Sequence, residues 1–142
     1  MTKILLSEGK ISDKETESVQ NIIDNVNKQR QWIHSLNIDD LLEFFEKLGR
    51  YWAEKYSKDI GINSKHLISF LSKENLGKKL DIALRGNRNV LEKFIDLSDP
   101  ELIFHAQPRG IVVHWIAGNV DILGIFSIVQ AIITKNVSII KA

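Results

Sequence analysis

Asn119 and Lys141 are the two side chains whose type and placement could do chemistry. Each sits at the end of a short apolar run that reads as a β-strand, Ile111-Val-Val-His-Trp-Ile116 and Val137-Ser-Ile-Ile140. The carboxyl ends of strands are where open α/β sheets bind ligands. A carboxamide NH₂ held there can donate to an oxyanion as it develops. An ammonium there can reach the ribose hydroxyls or a phosphate of a nucleotide. Spacing alone leaves a structural role open for both. Gly118-Asn119 would serve equally as a turn and helix cap, and Lys141 as a solvated lysine closing a strand. His114, inside the first strand, is expected to be packed and hydrogen-bonded rather than catalytic.

To act together, Asn119 and Lys141 need the two strands side by side and parallel. Ile122 to Thr134 is long enough for the crossover helix this requires, and the connection is expected to be right-handed. The first strand lacks polar alternation apart from His114, the pattern of a strand buried on both faces. Gln107-Pro-Arg-Gly110 forms the turn into it. The Gly110 to Gly118 segment is not a GxGxxG phosphate loop, so the standard dinucleotide fingerprint is absent.

Upstream the pattern is helical and charged. Residues 1–12 are expected to be loosely ordered. A helix is predicted over Asp13–Ile33, with Val19, Ile22, Ile23, Val26 and Ile33 on one face. Asn37 is an N-cap for a second helix to Tyr56, ended by Gly61. Its stripe is Leu41, Phe44, Phe45, Leu48, Tyr51, Trp52 and Tyr56. Shorter helices are predicted over 64–71, 73–84 and 88–96, and Asp99-Pro100 breaks the series. The fold class is therefore α/β. A helical N-terminal region, residues 1–100, precedes residues 101–142, the first βαβ unit of an incomplete parallel sheet. Two strands do not make a stable sheet, so the chain is expected to be the front part of a longer protein and poorly soluble by itself.

The composition of the 142 residues excludes several classes. The net charge is +1 and the basic residues form no stripe, which gives no reason to expect a nucleic-acid partner. There is no cysteine, hence no disulfide, no thiolate metal site and no thioester intermediate formed by this chain alone. His34, His66 and His105 have no clustered acidic or histidine partners, so no metal site is expected. The N-terminus lacks a signal-peptide run and no stretch reaches a membrane span, so a cytoplasmic location follows by default. Trp32, Trp52 and Trp115 are expected as core or interface aromatics.

Pro108-Arg-Gly-Ile-Val-Val, Ile116-Ala-Gly-Asn119, Ala131-Ile-Ile-Thr-Lys-Asn136 and Val137-Ser-Ile-Ile-Lys141 together resemble the aldehyde dehydrogenase superfamily. His114-Trp-Ile-Ala-Gly-Asn-Val120, followed by Leu123-Gly-Ile-Phe-Ser-Ile-Val-Gln-Ala131, is most similar to its acyl-CoA reductases of the LuxC type. The match covers about a quarter of the chain. The resemblance implies an aldehyde-dehydrogenase-like sheet and NADPH-dependent reduction of a fatty acyl thioester to the aldehyde through a cysteine acyl-enzyme. It makes Asn119 the oxyanion-stabilising amide and Lys141 a ligand of the adenosine ribose, including a 2′-phosphate. Ile116, Ala117 and Gly118 would line the nicotinamide-nucleotide path. Implied partners are a fatty acyl-CoA or acyl-protein donor, an acyl-protein synthetase and a second copy of the chain in a homo-oligomer. The family's cysteine lies well downstream of these motifs, so the chain alone is expected to be inactive. Two positions depart from the pattern. Asp121 stands where relatives carry proline, and Lys135 where the wider superfamily has glycine, implying an altered helix start and an altered turn. The alternatives are a superfamily enzyme acting on an acyl phosphate or an aldehyde, and a non-enzymatic helical interaction module.

Overall fold

The computed structural model describes residues 6–7, 10–11, 18–56, 64–96, 102–116 and 121–141. Within the segment expected to be loosely ordered, β1 (Leu6–Ser7) pairs antiparallel with β2 (Lys10–Ile11). The single first helix is in fact two, α1 (Val19–Lys28) and α2 (Arg30–Ser35). Ser18 caps α1, its Oγ accepting from the Asn21 N–H at 3.2 Å. At the break, the Gln29 N–H donates to the Val26 carbonyl at 3.1 Å, which tightens the turn where low-propensity Asn25 and Asn27 have already weakened the helix.

α3 (Ile38–Tyr56) starts where expected. The Asn37 carboxamide accepts from the Asp39 N–H at 2.8 Å, and Glu92, 54 residues on, accepts from the Ile38 N–H. α4 (Ser64–Leu71) and α5 (Lys73–Ala83) match their sequence patterns, with Ser72 capping α5 through the Asn75 N–H. Gly61 lies outside the described residues.

The helix predicted over 88–96 is corrected. A 3₁₀ turn at Arg88–Leu91 leads into β3 (Ile95–Asp96), which pairs antiparallel with β4 (Ile103–Phe104). The Val90 carbonyl that an α-helix would use accepts instead from the Ala106 N–H at 2.8 Å. The Glu92 side chain is likewise engaged on α3.

The closing segment is a β-α-β unit: β5 (Ile111–Trp115), α6 (Asp121–Ile133) and β6 (Val137–Lys141). β5 and β6 are parallel, in a register that runs from Ile111 opposite Val137 to Trp115 opposite Lys141. The architecture is thus mixed helix and sheet, as the α/β expectation had it.

One apolar core serves both regions. Ile33, Leu41, Leu42, Phe45, Leu67, Leu71, Leu76 and Leu80 of the helices are buried in the same cluster as Val129, Ile133 and Val137 of the closing unit. Phe70 of α4 stacks on Phe126 of α6 with ring centroids 3.9 Å apart. The α3 stripe is narrower than predicted. Leu41 and Phe45 are buried, Leu48 and Trp52 are half-buried, and Phe44, Tyr51 and Tyr56 are exposed.

β5 departs from its pattern too. It is not buried on both faces: Val113 and Trp115 stay exposed opposite the side on which His114 meets α6. Continuous apolar character reported what the strand can bury, not what covers it among the described residues.

Candidate functional site

The two strands are joined to the rest of the chain through one buried turn. α6 ends in a Schellman motif: the Asn136 N–H donates to the Ala131 carbonyl and the Lys135 N–H to the Ile132 carbonyl, both at 2.9 Å. Such a turn needs a left-handed residue, and Lys135 supplies it at φ 64°. The turn is thus made with a lysine at its left-handed position. A non-glycine residue in this conformation costs roughly 1–2 kcal/mol. The Lys135 side chain offsets this with a reach of 99 residues back in sequence, its Nζ donating to the Leu36 carbonyl at the end of α2. Burial pushes the Lys135 ammonium below the usual lysine range, and the Glu92 carboxylate acts in the opposite sense.

Asn136 then fixes the entry to the first strand. Its buried side-chain oxygen accepts from the Gly110 N–H at 2.9 Å, and the Val137 N–H donates to the Gly110 carbonyl at 2.9 Å. Gly110 has φ 105°, and a Cβ there would come within 3.1 Å of Cζ of Arg30, whose guanidinium lies against it. The positive φ is what favours glycine at this position, and a side chain would also have to move the Arg30 guanidinium aside. Sequence reasoning missed Arg30, Asn136 and the tether at Lys135. Only Asn136, one residue past a left-handed turn, had a local signal.

His114 is buried as expected, with Nδ1 2.8 Å from Ser127 Oγ on α6 and Nε2 3.1 Å from Ser138 Oγ on β6. Hydroxyls both donate and accept, so either neutral tautomer is satisfied. Burial pushes the imidazole below its ordinary 6.5. The unfolded chain therefore binds the extra proton first, and stability is full above about pH 6.5 and lost as pH falls through the folded value. His34, although exposed, is lowered as well, by desolvation first and then by Arg30, Lys135 and His105, so it adds to the same trend. The urea midpoint should fall between pH 7 and pH 5.5, less steeply in His114→Asn. Identical slopes in the two proteins would remove His114 as the source.

Lys141 stands at the carboxyl end of β6, exposed, with its Nζ 3.8 Å from the centre of the Trp115 ring on β5. Ile116 follows β5 directly, its N–H donating to the Lys141 carbonyl at 3.1 Å. Its side chain packs on Gly124 of α6, where a Cβ would come within 2.7 Å of Ile116 Cδ1. A side chain at 124 would therefore have to displace the tip of the Ile116 side chain. The structure thus brings Lys141 and Ile116 together. Ala117, Gly118 and Asn119 lie outside the described residues, between Ile116 and the start of α6 at Asp121. Lys141 and Ile116 do not line the cleft of about 510 Å³ that opens around Val112, His114 and Ser127. Trp52 packs against the core, whereas Trp32 and Trp115 are exposed. Among the described residues no group of three or more His, Asp or Glu could hold a metal ion, and no helix is long and apolar enough to cross a membrane.

Comparison with known proteins bears out the LuxC resemblance. Residues 14–142 match the family described as acyl-CoA reductase (LuxC). A long-chain acyl-protein thioester reductase of Photobacterium phosphoreum is 30% identical over 128 residues, covering 76% of this chain and 25% of that protein. The protein of the same description from Aliivibrio fischeri is 29% identical over 150 residues, covering 92% of this chain and 29% of its own length. That of Photorhabdus laumondii is 43% identical over a shorter stretch of 56 residues, covering 39% of this chain and 11% of that protein. The chain thus spans between a quarter and three tenths of the length of the first two. No solved structure matches. With 129 consecutive residues inside the family match, the chain belongs to the LuxC family of acyl-CoA reductases.

Proposed function

We propose that this chain forms the cofactor-binding side of an NADPH-dependent reductase that converts a long-chain fatty acyl thioester to the aldehyde. The observation that carries this reading is the parallel β5–β6 pair. It sets Lys141 beside Ile116 at the carboxyl strand ends, with Asn119 only three residues further along. NADPH supplies the hydride when bound. The chain's own residues do the rest of the work on this side. Lys141 is a cation for the adenosine ribose and its 2′-phosphate. Ile116, Ala117 and Gly118 line the nucleotide path, and the Asn119 amide donates to the oxygen of the tetrahedral acyl centre. The cysteine that takes the acyl group comes from polypeptide outside these residues, since the chain contains none. The βαβ unit is then the start of an aldehyde-dehydrogenase-like sheet, with residues 101–142 opening the cofactor domain after a helical region over 1–100. The donor is an acyl-CoA or an acyl-protein, in line with the names of the relatives. An acyl-protein synthetase as donor partner, a homo-oligomeric state and a cytoplasmic location complete the proposal.

The test is Lys141→Ala in the active enzyme, meaning this chain together with the part that supplies the thiol. KM for NADPH should rise about tenfold or more, consistent with removal of a charge-assisted contact, while acylation of the enzyme by the thioester is nearly unchanged. An unaltered KM would take Lys141 out of the cofactor site.

A further inference from the structure

Trp115 is an anomaly that the proposed function leaves over. It is 78% exposed, the most exposed aromatic side chain among the described residues, although it sits on a strand whose other face is packed on α6. A bare indole there gains nothing from the hydrophobic effect. Its partner is Lys141, whose ammonium rests 3.8 Å from the ring centre. The register explains the contact: Trp115 lies opposite Lys141 on adjacent parallel strands, so both side chains leave the sheet from the same face. Lysine otherwise has a long stem with many rotamers, and ordering it for a ligand costs binding free energy. The next pair along the same face, Val113 and Ile139, carries no charge to compete for the ammonium.

We propose that Trp115 is a positioning residue that holds the Lys141 ammonium by cation–π contact, ready for a phosphate of the nucleotide. The proposal rests on the cofactor reading above and adds the residue that sets the lysine's place. Because Trp115 works through Lys141, its contribution vanishes when Lys141 is gone. That distinguishes it from an indole that stacks on the base directly, which would contribute whatever residue stands at 141.

The experiment is calorimetric titration of the active enzyme, this chain together with the part that supplies the thiol, with adenosine 2′,5′-bisphosphate, a probe that carries the phosphate and no nicotinamide. Trp115→Ala should weaken binding about two- to fivefold, the range of an exposed cation–π contact. Trp115→Phe, which keeps an aromatic face, should recover most of that loss. The double variant with Lys141→Ala should bind no more weakly than Lys141→Ala alone. Since Trp115 is exposed, its substitution should leave the urea midpoint unchanged, and this is measured alongside. If Trp115→Ala binds as the parent does while Lys141→Ala is weak, the positioning role is wrong and the cofactor site stands. Losses that add in the double variant would likewise overturn the positioning role in favour of direct stacking. If Lys141→Ala also binds normally, or the probe does not bind at all, both readings fall.

Discussion

Asn119→Ala is expected to lower the turnover of the active enzyme by about a hundredfold or more, the usual loss when one oxyanion donor is removed. Attack on the thioester carbonyl, and later delivery of hydride to the acyl-enzyme, both place negative charge on the same oxygen. On the proposed reading the Asn119 carboxamide donates to that oxygen, and a methyl group in its place donates nothing. The loss should therefore appear in kcat, with KM for NADPH almost unchanged, because the interaction belongs to the transition state. Lys141→Ala should show the opposite split. Aldehyde formation under saturating NADPH checks this. A turnover within about threefold of the parent would make Asn119 the turn and helix cap that Gly118-Asn119 also suits.

The second large effect is structural. Leu42→Ala should destabilise the chain by about 2–5 kcal/mol, the range for a leucine truncated in a packed core. Leu42 is fully buried at 0% exposure on α3, and the core it occupies also holds Leu71 and Leu76, together with Val129, Ile133 and Val137 of the β-α-β unit. The relaxation available is small, since helices approach from several directions. Because Val137 begins the strand that Lys141 ends, loosening this cluster should also loosen the strand ends. Urea unfolding followed by far-ultraviolet circular dichroism and by tryptophan fluorescence should shift together. A loss below about 1 kcal/mol would mean that the helices and the closing unit are not packed as one core.

The elements with a strong local signal were legible in the sequence. Asn37 could be recognised as a cap, and the apolar runs at 111–116 and 137–140 as parallel strands joined by a helix, because capping and pattern are local physics. The failures have tertiary causes. Residues 88–96 have helical spacing, but the Val90 carbonyl and the Glu92 carboxylate find partners far along the chain, and the segment follows those partners. Lys135 looked like a disruption of a glycine turn, since nothing in its neighbourhood reveals the Leu36 carbonyl 99 residues away that rewards the left-handed conformation. Of the candidate site, the placement of Lys141 at a strand end was legible, whereas Asn119 lies outside the described residues, and the roles of both came from the resemblance and not from spacing. Trp115 was expected to pack and instead stands under the lysine, a pairing that only the strand register produces.

On the proposed reading a nicotinamide nucleotide lies across the carboxyl ends of β5 and β6, and photolabelling with an 8-azido analogue of NADP, followed by peptide mapping, locates it. The expected result is label confined to the segments around Trp115–Asn119 and Lys141, suppressed by excess NADPH and reduced in Lys141→Ala. Label that NADPH suppresses but that maps elsewhere, such as the polar cleft around Asp39, Asp81 and Glu92, would contradict it.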